Sequence, residues 1–103
     1  MRWSDALYYI ALDYLRERGI HKTMPPLFKD EKARVIGIRS GEYYLLIHAT
    51  TEEAWSALSG LPVEKLVEVF KEIETAKNTV IPGDVKIMRV KISDLLNESG
   101  RRT

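Results

Sequence analysis

Tyr43-Tyr44-Leu45-Leu46-Ile47-His48-Ala49 is the stretch that decides the fold, because its first five residues are apolar without a break. A strand with one wet face alternates apolar and polar side chains. An unbroken apolar run therefore predicts a central strand covered on both faces. Just before it, Ser40-Gly41 supplies a tight turn, and Ala33 to Arg39 reads as a strand with Ile36 and Ile38 on one face.

After the run, Thr50-Thr51-Glu52-Glu53 reads as a capping box in which Thr50 caps and Glu53 reaches back. The helix it opens runs to about Leu58, Gly60 breaks it, and Pro62 suits the first position of a second helix. There Val63, Leu66, Val67, Phe70 and Ile73 form one apolar stripe, with Glu64, Lys65, Glu68, Lys71 and Glu72 on the wet side. Asn78 to Gly83 carries Val80-Ile81 and a Pro-Gly turn, and Val85 to Ile92 reads as the last strand. Val85 and Ile87 share one of its faces; Met88, Val90 and Ile92 share the other. Such a switch predicts a bulge, or a strand that meets a second surface.

Toward the N-terminus, Ser4 or Asp5 opens a predicted helix in which Trp3, Leu7, Ile10 and Tyr14 recur at three- and four-residue steps, ending at Gly19. Ile20 to Thr23 fits a short strand, and Pro25-Pro26 forces an extended connection after it. The predicted order is α-β-β-β-α-β-β. That is an α/β (α+β) fold, one domain over residues 1–103, with a mixed sheet and flanking helices.

Composition narrows the chemistry. The 103 residues include no cysteine, which excludes disulfides, thiolate-bound zinc, iron–sulfur clusters and thiol catalysis. Glutamine is absent and charged residues make up 30%, a heat-adapted composition. Net charge is +1, and neither half of the chain is a polycation, whereas a lone nucleic-acid binder carries a clear basic excess. No apolar run approaches the roughly 20 residues of a membrane helix. Met1 to Asp5 does not open a signal peptide, so a cytoplasmic location is expected.

His21 and His48 are the only histidines and stand far apart, so no metal site is expected, and His48 reads as a structural residue near a sheet end. Glu52-Glu53 and Asp30-Glu31 read as caps and solvated charges. Neither a phosphate-binding Gly-rich loop nor a nucleophile elbow occurs, and no cofactor is implied. Tyr8, Tyr9, Tyr14, Tyr43 and Tyr44 offer rings for stacking on bases, but their spacing fits core or interface positions. The element order is restriction-endonuclease-like. Metal-dependent nucleases of that layout need an Asp on one strand and Glu-x-Lys on the next. Arg34 to Ile38 has no Asp, and Leu45 to His48 has no Glu-x-Lys.

Several pieces fall in one order: Tyr14-Leu15-Arg16-Glu17-Arg18-Gly19, Lys22-Thr23, Phe28, Tyr44-Leu45-Leu46-Ile47-His48 and Gly83-Asp84-Val85. Together they make the chain resemble the catalytic-type C-terminal domain of archaeal tRNA-splicing (tRNA-intron) endonucleases, over roughly residues 8 to 95. The resemblance implies metal-free RNA cleavage by a Tyr base, a His acid and a Lys that stabilises the charged transition state. Here the Tyr would fall in Arg34 to Ile38, which has none. The His position lands on Glu42. Lys77 stands near the family lysine, with Lys71 as a competitor.

What the resemblance implies is therefore a structural, non-catalytic subunit without the family's N-terminal domain and with no catalytic residue of its own. Its partner would be a catalytic endonuclease subunit in a hetero-oligomer of two catalytic and two structural chains, acting on precursor tRNA. The implied contacts are Asp84, in a shortened acidic loop that enters a basic pocket of the partner, and the last strand, with Met88, Val90 and Ile92, paired edge to edge. Two other readings of the residues stand beside it. One is a small stand-alone RNA- or DNA-binding module using the tyrosines and Arg101-Arg102. The other is an enzyme using His48 with Glu42 or Tyr43.

Overall fold

The computed structural model describes residues 3–75 and 84–97. Its elements are α1 (Trp3–Glu17), α2 (Ile20–Thr23), β1 (Leu27–Asp30), β2 (Val35–Ser40), β3 (Tyr43–Ala49), α3 (Glu52–Ser59), α4 (Val63–Thr75), β4 (Val85–Lys91) and α5 (Ile92–Leu96). The segment holding Lys77, Val80-Ile81 and Pro82-Gly83 lies outside the described residues.

The apolar run does form a central strand. β3 pairs with β2 on one side and β4 on the other, in the sheet order β1-β2-β3-β4. Every pairing is antiparallel, which corrects the mixed sheet predicted from element order. The connections explain this. Gly41, at φ +60°, begins the two-residue turn that reverses β2 into β3. The paired helices α3 and α4 lead away and back, so the chain re-enters at Val85 directly opposite Ala49.

Each face of the sheet carries its own core. Ile36, Ile38, Leu45 and Ile47 pack against Ala54 and Leu58 of α3 and Leu66 and Phe70 of α4. Leu66 and Phe70 are fully buried, each contributing about 2–3 kcal/mol by removal from water. On the other face Tyr44, Leu46 and Val90 meet Leu12 and Leu15 of α1, Ile20 of α2 and Leu95 of α5. This double cover is why β3, apart from its two tyrosine hydroxyls, carries only apolar side chains before His48.

β4 needs no bulge, because seven consecutive residues pair with β3. Its apparent change of face has another cause. Val85 and Ile87 pack toward α3 and α4, Met88 and Val90 toward α1, and Arg89 replaces an apolar residue on the α4 side. Arg89 lies over the rings of Phe70 and Tyr43 and donates two hydrogen bonds to Glu74, at 2.9 and 2.7 Å. The strand ends at Lys91; Ile92 opens α5 instead of closing β4.

Three further expectations are corrected. Ile20–Thr23 is a helical turn, not a strand. Gly19 adopts φ +75°, and the amide of Met24 then reaches the carbonyl of Ile20 at 2.7 Å, tucking Ile20 into the core. The missed strand is β1, just past Pro25-Pro26, with Leu27 opposite Ile38 and Phe28 opposite Gly37. At α3 the cap is Thr51, not Thr50: its hydroxyl accepts from the amide of Ala54 at 3.1 Å. The Thr50 amide is instead committed to the carbonyl of Asp84 at 2.9 Å.

Candidate functional site

β4 is the outer strand on its side of the sheet. Among the described residues its far edge has no strand partner, so the alternate N–H and C=O groups that do not bond β3 face away from it. The edge is anchored at both ends. Thr50 bonds to the carbonyl of Asp84, and the Ile92 amide donates to the carbonyl of Glu42 at 2.8 Å. Asp84 itself is half-buried at the start of the strand.

The side chains predicted for this interface point inward. Val90 is fully buried in the cluster beneath α1, and Met88 and Ile92 are half-buried against the same cluster. They support the strand from behind, so an edge-to-edge contact here would be made by main chain. Lys86 and Lys91 are the exposed side chains of β4. Lys77 lies outside the described residues, so no geometry bears on it.

The alternative site around His48 does not assemble. Glu42 and His48 stand at opposite ends of β3, six residues or about 20 Å apart. Tyr43 is nearly as far and lies on the other face, packed against the α3–α4 cluster. Among the described residues no three His, Asp or Glu side chains converge to hold a metal ion.

Four of the five tyrosines are committed to this chain's own structure. Tyr44 is buried and donates to the carbonyl of Pro25 at 2.5 Å. Tyr43 lies under Arg89, Tyr8 donates to Asp94, and Tyr14 donates to Asp30 at 2.7 Å. Burial, and then the bonds to Asp94 and Asp30, push the Tyr8 and Tyr14 hydroxyls above the usual phenol range. Tyr9 alone among them is largely exposed, at 51%.

Asp30 is the most heavily engaged carboxylate. It accepts from Tyr14, from the amides of Lys32 and Ala33, and pairs with Arg18 at 2.9 Å. The Tyr14 bond first, then the Ala33 amide and Arg18, hold its carboxyl below the usual range against the effect of burial. Asp30 is thus not the solvated charge its sequence position suggests. The available signal was an Asp at the end of a strand, followed by a turn whose amides it could cap.

The fold and this edge define an α+β domain: a four-stranded antiparallel sheet between two helical layers, with β1 and β4 at its edges. Compared with protein-family models, with curated proteins and with solved structures, the chain matches none. Among the described residues no helix is long and apolar enough to cross a membrane.

Proposed function

We propose that this chain is a structural, non-catalytic subunit of a cytoplasmic archaeal tRNA-splicing endonuclease, with a restriction-endonuclease-like topology. One observation carries the reading. The ordered family-like pieces run from Tyr14 to Val85, yet the base and acid positions of the triad hold Arg34 to Ile38 and Glu42. A carboxylate at the acid position would repel RNA phosphate instead of protonating a leaving oxygen. The outermost position of β4, with Asp84 at its start, supports assembly through that strand. A net charge of +1 suits a chain whose task is to hold a catalytic subunit rather than to grip RNA alone.

The test is reconstitution. The chain is mixed with a catalytic subunit of the family that has an intact Tyr, His and Lys, and cleavage of precursor tRNA is followed without divalent metal. No cleavage is expected from this chain alone, and cleavage is expected from the mixture. A catalytic subunit that cuts equally fast without it would sink the reading.

A further inference from the structure

α1 carries more apolar surface than its core uses. The buried side is centred on Leu12 and Leu15, at 4% and 0% exposure. Leu7, Ile10 and Tyr14 lie on a different flank; Ile10 is roughly 200° around the helix from Leu12. Ile10 is 63% exposed. Leu7, Ile10, Tyr14 and Glu17 follow in steps of three, four and three. They form a seam along α1 that is separate from the buried stripe of Leu12 and Leu15.

The seam borders an apolar groove of about 290 Å³. Leu7, Ala11 and Tyr14 form its wall, and Val35, His48 and Lys86 lie along its floor. These three floor residues are in cross-strand register: Val35 opposes His48, which opposes Lys86. The row continues to Asp30 on β1, which opposes Val35; Tyr14 and Arg18 of α1 meet that end, and Leu7 shares the groove with Lys86 toward β4. Lys86 on β4 therefore sits near the N-terminal end of the seam, and Glu17 closes the other end. Both are exposed, and neither makes an ion pair among the described residues.

We propose that the occupant of this flank is a second copy of the same chain, its α1 packed antiparallel to the first about a two-fold axis near Ile10 and Ala11. The charge pattern selects this occupant. A two-fold axis at the middle of the seam brings Lys86 of each copy to Glu17 of the other and sets Leu7 against Tyr14. Ala11, small and central, lets the helices approach, and Ile10 of each copy enters the groove of the other. A parallel arrangement would place lysine beside lysine. The proposal does not depend on the endonuclease reading, since it uses α1 and not the outer edge of β4.

Sedimentation equilibrium on the full chain tests it. The expected species has twice the 11.9 kDa chain mass. Ile10→Asp should leave the circular dichroism spectrum unchanged and give the single-chain mass. Lys86→Glu and Glu17→Lys should each weaken association about tenfold, since each creates two like-charged contacts, and combining them should restore it to within about threefold. A wild-type chain that stays monomeric at about 500 μM overturns the proposal. So does a dimer indifferent to Ile10→Asp, or a double charge reversal no tighter than either single one.

Discussion

The phenol of Tyr14 donates to Oδ2 of Asp30 at 2.7 Å, and this bond fastens the C-terminal half of α1 to the outer strand β1. Asp30 also organises the turn into β2 through the amides of Lys32 and Ala33. Asp30→Asn is expected to lower unfolding free energy by about 1.5–3 kcal/mol, the range for hydrogen bonds to a charged group, as read by urea denaturation. The pH dependence follows from the direction of the shift. The folded-state pKa of Asp30 is depressed, so its stabilisation is fully present above its unfolded value, roughly 4, and is lost as pH falls through the lower folded value. Glu74, held down by its bond from Arg89, adds to the same acid-side loss. Melting temperature should drop below about pH 4, and less steeply in Asp30→Asn than in the wild type.

Gly37 is needed because the ring of Phe28, its cross-strand partner, occupies the place of a side chain. A Cβ at position 37 would overlap that ring, and the ring is held between Tyr14 and Tyr44. Gly37→Ala should cost about 1–3 kcal/mol as an overpacked site. In a double-mutant cycle, Phe28→Ala should relieve most of the Gly37→Ala penalty. Additive losses would show that the ring is not the cause.

Arg89 joins β4 to α4 through its paired bonds to Glu74 and its position over Phe70. A lysine keeps the charge but loses the planar fork and the stacking. Arg89→Lys should therefore destabilise by about 0.5–1.5 kcal/mol in thermal melts, and about as much at high as at low salt, because stacking and hydrogen-bond geometry are lost rather than charge.

The hairpin of β2 and β3, the Gly60 break and the burial of Leu66 and Phe70 were legible because apolar spacing and turn glycines act locally. β1 was not: Leu27 to Asp30 is short, follows two prolines, and becomes a strand only because β2 offers it an edge. Ile20 to Thr23 has β-branched residues at both ends, yet Gly19 turns the chain and the core takes Ile20, so tertiary burial overrides local propensity. The helical spacing of Leu7, Ile10 and Tyr14 on α1 was visible in sequence; that Leu12 and Leu15 face the core while Ile10 stays exposed was not, because both sets recur at helical steps. At the candidate interface, Asp84 and the strand itself could be picked out in sequence. The inward direction of Val90 could not, since it depends on the pairing of Val90 with Tyr44.

A change at Asp84 tests the proposed assembly without touching the bond that Asp84 makes in the fold. Its structural bond is made by its main-chain carbonyl, which accepts from the Thr50 amide and does not depend on the side chain. Among the described residues its carboxylate makes no hydrogen bond or ion pair, so Asp84→Ala should shift unfolding free energy by no more than about 0.5 kcal/mol. If the carboxylate enters a basic pocket on a catalytic subunit, the same change leaves a partner cation unpaired and costs about 2–5 kcal/mol of binding, mostly as faster dissociation. Surface plasmon resonance against the catalytic subunit, with thermal melts of the isolated chain as control, reads both quantities. Asp84→Asn should fall between Ala and wild type, because it keeps an acceptor but not the charge. Equal binding by all three forms would remove Asp84 from the interface and leave the edge of β4 as the sole contact to test.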